Sequence, residues 1–137
     1  MTFRDEEARS FPVVLLAHGS SDPAWAVPVR DLLNRLAAAQ PGRRFMLAFM
    51  ESVRPTLLET ARELAAQAHT EAAVIPVFLS SGGPHMRRDV PALVREAQGE
   101  CPQLLLRLLG GALAEEPEVL DAMARAALRR VSLWPAA

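Results

Sequence analysis

Cysteine is almost missing from this chain of 137 residues: there is one, Cys101. A single thiol excludes an internal disulfide and a thiolate metal cluster. Cys101 itself reads as a small, partly buried residue after a turn. Charge of one sign is lacking too. Fifteen basic residues stand against sixteen acidic ones, a formal net charge of −1, which argues against the basic footprint of a nucleic-acid binder. No run approaches the roughly 18 unbroken apolar residues of a membrane span. The first ten residues carry Arg4, Asp5, Glu6, Glu7 and Arg9 and lack the apolar stretch of a secretory signal. They read as a flexible arm over 1–10, ahead of a single domain over 11–137, in a cytoplasmic protein. There is no internal repeat, low-complexity tract or linker.

Several motifs are missing as well. Without G-x-x-x-x-G-K-[ST], no ATP-driven mechanism is encoded, and without G-x-G-x-x-G after the first apolar run, dinucleotide binding is not expected. The G-x-S-x-G spacing of a hydrolase elbow does not occur. The pair Gly82-Gly83 alone is a weak phosphate signal.

What the chain does have is four short apolar runs, each followed by a helical pattern. Half of its residues are hydrophobic, enough for a full core. The first run, about 12–18, passes through Val13-Val14-Leu15-Leu16-Ala17 into His18-Gly19-Ser20-Ser21. So apolar a run reads as a strand buried on both faces. From Ala24, the residues Trp25, Val29, Leu32, Leu33 and Leu36 recur at helical steps, with Pro28 in the first turn, until Pro41-Gly42 break the chain. A second run, 44–50, ends at Glu51. Pro55 is suited to opening the next helix, whose stripe is Leu57, Leu58, Ala61, Leu64, Ala65 and Ala68. His69 at its end has a structural or solvent role, where a cation suits the helix dipole.

The third run covers 72–79, and Pro76 within it predicts a bulge or a local break in pairing. A polar, glycine-rich turn, Ser80 to His85, follows. Asp89 is placed to cap a helix with Pro91 in its first turn, running through Leu93, Val94 and Ala97 to Gly99. The fourth run, Leu104 to Leu109, precedes Gly110-Gly111. Pro117 opens the last helix, with Val119, Leu120, Met123, Ala127 and Leu128 on its inner face. Trp134 either docks that terminus or sits at a subunit contact. Four β-α units predict an α/β fold: a four-stranded parallel sheet with helices on both faces, in the flavodoxin-like order 2-1-3-4.

In that order the strands bearing His18, Glu51 and His85 are neighbours, about 5 Å apart. All three residues fall at the carboxyl edge, where open α/β sheets bind ligands. Two imidazoles and a carboxylate suit a borderline divalent ion. They equally suit proton transfer near neutral pH. The plain alternative is a hydrogen-bonded structural histidine and a helix N-terminal charge.

Three phrases then carry a resemblance: Leu-Ala-His-Gly-Ser-Ser-Asp-Pro; Ala-Phe-Met-Glu with Pro55 four residues on; and Pro-Val-Phe-Leu-Ser-Ser-Gly-Gly-Pro-His-Met-Arg-Arg-Asp-Val-Pro. In this order they resemble the short-chain CbiX/SirB sirohydrochlorin chelatases, the class II, ATP-independent tetrapyrrole chelatases, over about 13–130. The resemblance implies insertion of Co²⁺ or Fe²⁺ (Ni²⁺ in some relatives) into sirohydrochlorin, for cobalamin or sirohaem synthesis. It puts the family's two histidines on His18 and His85 and its acidic partner on Glu51, as metal ligands or proton acceptors. One departure is Pro84, between Gly83 and His85. The resemblance also implies a homodimer with the tetrapyrrole in its cleft, the metal as substrate and no tightly bound cofactor. Arg54, Arg87 and Arg88 would pair with substrate carboxylates, and Ser20, Ser81 and the Gly82-Gly83 backbone would contact others. A non-catalytic metal or tetrapyrrole carrier on the same edge is the alternative.

Overall fold

A computed structural model describes residues 10–136; apart from Ser10, the arm expected over 1–10 lies outside the described residues. Four parallel strands form one sheet: β1 (Val13–Ala17), β2 (Phe45–Phe49), β3 (Glu71–Pro76) and β4 (Leu105–Leu108). Their order is β2-β1-β3-β4. Val13 pairs with Phe45 on one side and Ala73 on the other, and Glu71 pairs with Leu105. The central strand is buried along its whole length, which is why its sequence does not alternate.

Successive side chains on a strand point to opposite faces. Leu15, Ala17, Leu47 and Phe49 face one way and pack against Val29, Leu32, Leu33 and Leu36 of α1 (Val27–Ala39). Val14, Leu16, Ala48, Val74 and Leu106 face the other way. They are covered by α2 (Leu57–Ala66) and α3 (Val90–Glu100), through Leu57, Ala61, Leu64, Val90 and Ala97. Cys101 is fully buried in that second core, behind the end of α3, deeper than expected.

Local chemistry sets the helix starts, with some differences from expectation. Asp22 accepts a hydrogen bond from the Ala24 N–H at 2.9 Å and caps a 3₁₀ turn, Pro23–Ala26, that leads into α1. Pro55 does not open α2. Thr56 does, through a capping box with Glu59, which satisfies donors at both positions. Arg54 donates to Glu59 through Nε at 2.8 Å. Arg54 and then the Thr56 N–H hold the Glu59 carboxyl down at about 2.

Pro76 ends β3 without a bulge. Its register with β1 runs with no inserted residue. The Ala73 and Val77 N–H groups point at β1, so the side where Pro76 lacks a donor faces β4, beyond the last paired residue, Leu108. No ladder bond is lost.

The last helix, α4 (Pro117–Val131), departs from expectation most. It has no buried residue. Leu120, Met123 and Leu128, expected on its inner face, are exposed, as is Trp134 beyond it; Val119 is half-buried and Ala127 exposed. The amphipathic pattern was read correctly, but nothing in the same chain covers it. Among the described residues no helix is long and apolar enough to cross a membrane.

Candidate functional site

His18 follows the last residue of β1, and Glu51 stands two residues past the end of β2. The strand pairing continues beyond both ends. The Met50 N–H donates to the Ala17 carbonyl at 2.9 Å and the Glu51 N–H to the His18 carbonyl at 3.1 Å. The two loops are thereby locked side by side. Gly19, at φ +96°, allows this approach: a Cβ there would lie 2.0 Å from the Glu51 carbonyl oxygen. His85 begins a wide π-helical turn, His85–Asp89, that runs into α3. Such turns are frequent at functional sites.

The three side chains meet. His18 Nε2 lies 3.0 Å from Glu51 Oε1. The His18 and His85 rings are edge to face, with centroids 4.7 Å apart. All three are part-exposed at the mouth of the sheet. Among the described residues, no three His, Cys, Asp or Glu side chains gather into a ready-made metal cage. The expected trio is thus an open set of donors.

Hydrogen bonding orients both rings. A carbonyl can only accept, so the 3.0 Å contact from His18 Nδ1 to the Gly19 oxygen puts a proton on Nδ1. Nε2 is then the nitrogen that faces Glu51, and their contact requires one proton shared between the two atoms. His85 Nδ1 lies 3.1 Å from Asp89 Oδ2, and the ionised carboxylate likewise accepts. Asp89 is steadied in turn by Arg88 Nε at 3.1 Å, and Arg88, then His85, hold its carboxyl below the usual range. Anchoring one ring nitrogen on a carbonyl or carboxylate leaves Nε2 as the donor for a metal or an incoming proton.

Asp89 was expected to be a helix cap. Its backbone is already helical and its side chain caps nothing; it is the residue that positions His85. The spacing His85-x-x-x-Asp89 inside a helical turn was the signal for this role.

The other expected contact residues are scattered. Ser20 lines a hollow of about 210 Å³ with Trp25, Arg30 and Phe49, and its Oγ accepts from the Asp22 N–H. Arg54 is engaged by Glu59 and Arg88 by Asp89; Arg87 is exposed. Ser81 is occupied: its Oγ accepts from the Ala112 N–H at 2.9 Å and its N–H donates to Glu115. It ties the β3 and β4 loops together. The Gly82 N–H donates to Ser80 Oγ, and Gly83 adopts φ +87° in open space. A cleft of about 300 Å³ lies beside the imidazoles, lined by Met50, Glu51, His85, Asp89, Leu93 and Glu96. His69 sits before β3, at the opposite, amino edge of the sheet, far from this chemistry as expected.

The family model CbiX matches residues 12–130, nearly the whole described chain. The chain belongs to the CbiX family. This CbiX chain is 29% identical over 89 residues to the sirohydrochlorin cobaltochelatase of Methanosarcina acetivorans, covering 65% of this chain and 68% of that one. It is 28% identical over 92 residues to that of Methanosarcina barkeri, covering 67% and 70%. A crystal structure of a CbiX protein from Marinobacter aquaeolei VT8, described as a cobalamin (vitamin B12) biosynthesis protein, superposes with a TM-score of 0.75 at 26% identity. It covers 88% of this chain and 94% of the other. The sirohydrochlorin chelatase SirB of Bacillus subtilis subspecies spizizenii, in complex with cobalt, shares the fold at TM-score 0.75 and 20% identity; this chain spans 50% of it.

Proposed function

We propose that this chain inserts a divalent metal, Co²⁺ or Fe²⁺, into sirohydrochlorin without ATP, in cobalamin or sirohaem biosynthesis, in the cytoplasm. The observation that carries this reading is the pair of imidazoles, 4.7 Å between centroids, each anchored through Nδ1 so that Nε2 is presented. Support also comes from the names of the curated relatives.

Insertion exchanges one M²⁺ for two pyrrole N–H protons, so the site must release a cation and collect protons in the same place. An open donor set suits this, because a closed cage would retain the ion. His18 Nε2 and His85 Nε2 hold the incoming ion or take the pyrrole protons, and Glu51, sharing a proton with His18, relays one outward. Asp89 keeps His85 in register. Arg87, together with the edge residues Ser20, Gly82 and Gly83, receives the carboxylates of the macrocycle. Two copies of the chain enclose the substrate.

Absorbance change on mixing the protein with sirohydrochlorin and Co²⁺, Fe²⁺ or Ni²⁺ tests the reading. His18→Ala and His85→Ala should each lower the insertion rate about 100-fold or more, as loss of a proton-transfer group does, with unchanged far-UV circular dichroism. Full activity in either variant removes that residue from the mechanism. Stoichiometric tetrapyrrole binding with no acceleration over the uncatalysed reaction would make the protein a carrier.

A further inference from the structure

Two apolar surfaces in this chain have no cover. The first is the stripe of α4. Leu120, Met123, Ala127, Val131 and Trp134 recur at steps of three and four, with Glu118, Asp121, Arg125 and Arg129 on the opposite side. That is the pattern of a helix that buries one face. Yet Val131 is 67% exposed, Leu133 77% and Trp134 84%.

The second surface is half of a sheet face. α1 covers β2 and β1 and reaches Ile75 and Val77 of the β3 segment. The register Glu71 with Leu105 and Ala73 with Arg107 places Leu105, Arg107 and, two residues on, Leu109 on the same face, beyond α1. Leu105 and Leu109 are each 46% exposed. A small hollow beside them is lined by Phe11, Ala73, Arg107 and Leu109.

The direction of α4 is held. The segment between β4 and α4 is tied over the loop that follows β3: Ala112 N–H to Ser81 Oγ at 2.9 Å, Ala114 N–H to the Phe78 carbonyl at 3.1 Å, and Glu115 to the Ser81 N–H. It does not turn back along β4, so α4 leaves its own sheet bare.

We infer that the occupant of each surface is a second copy of this chain: α4 of one protomer lies on the open β3–β4 face of its partner, reciprocally. Both surfaces occur on every chain, so one two-fold axis satisfies them together and the assembly closes. The area suffices. The exposed parts of Leu105, Leu109, Leu120, Met123, Leu128, Val131, Leu133 and Trp134 amount to about 900 Å² per chain, or roughly 1,800 Å² for a pair, within the range of a stable dimer. A lone soluble chain rarely carries apolar patches of that extent. From the functional reading this inference takes only the two-copy stoichiometry, and it adds the surface.

Sedimentation of the full chain at tens of micromolar should give twice the chain mass. Met123→Asp combined with Val131→Asp changes residues that face water within one chain, so folding is retained by circular dichroism. The variant should sediment at the single-chain mass, with dimer affinity lowered about 100-fold or more. A chain carrying Leu109→Cys and Met123→Cys, treated with a short bis-maleimide, should give covalent dimers. Bridging confined to single chains, or no bridging, overturns the inference, because α4 would then lie on its own sheet or elsewhere. A wild-type dimer that survives the double aspartate variant leaves the two-copy reading standing and overturns this surface. A monomeric wild type overturns both.

Discussion

Gly19→Ala tests the site through its backbone. The added Cβ would sit 2.0 Å from the Glu51 carbonyl oxygen and 3.3 Å from Phe49 Cβ, at φ +96°. Two costs follow. A side chain at positive φ outside the left-handed helical well costs about 1–3 kcal/mol. Relieving the overlap means moving the Glu51 peptide by about 1 Å, and overpacking of this kind costs about 1–3 kcal/mol. The variant should therefore lose about 2–5 kcal/mol, a urea midpoint about 1–3 M lower for a domain of this size. The peptide that must move carries Glu51, whose carboxylate lies 3.0 Å from His18. A displacement of about 1 Å at a reacting group lowers rates about 100-fold. Urea titration followed by tryptophan fluorescence and the metal-insertion assay measure the two effects. A variant with the wild-type midpoint and full insertion activity would refute the argument, because the loops after β1 and β2 would then not be in contact.

Asp89→Ala should slow insertion about 10–100-fold, as loss of a residue that orients a ligand histidine does. Asp89→Asn, whose amide oxygen still accepts from Nδ1, should recover part of the rate with an altered pH profile; equal rates for the two variants would deny Asp89 a positioning role. Glu59 gives a prediction in pH. Its folded carboxyl is held at about 2, against an ordinary 4.5, so its stabilisation is complete above about pH 4.5 and is lost as pH falls toward 2. Glu59→Gln should flatten the fall of the unfolding midpoint across that window and leave the site's chemistry unchanged; an unaltered acid limb would mean the Arg54 contact is not formed in solution.

Much of the architecture was legible because it is written in local terms. Apolar runs of four to six residues between helical stripes dictate buried parallel strands, and the right-handed crossover rule narrows their order. His18 and Glu51 were placed correctly because a strand's end fixes where the next residues emerge. Asp89 was misread because the sequence shows a proline-opened helix after it, and only the π-helical turn brings its carboxylate back to His85. Ser81 looked like a free hydroxyl beside two glycines, but its partners, Ala112 and Glu115, come from a different loop.

By itself, then, the sequence determined the strands, three of the helices, the edge that carries the chemistry and the family to which the chain belongs, since each rests on short-range periodicity or on contiguous motifs. Tertiary structure alone decided which nitrogen of each histidine is presented, why residue 19 must lack a side chain, and that the apolar stripe of α4 finds no cover in its own chain. Those depend on distances between segments far apart in the chain, which periodicity along a single segment does not encode.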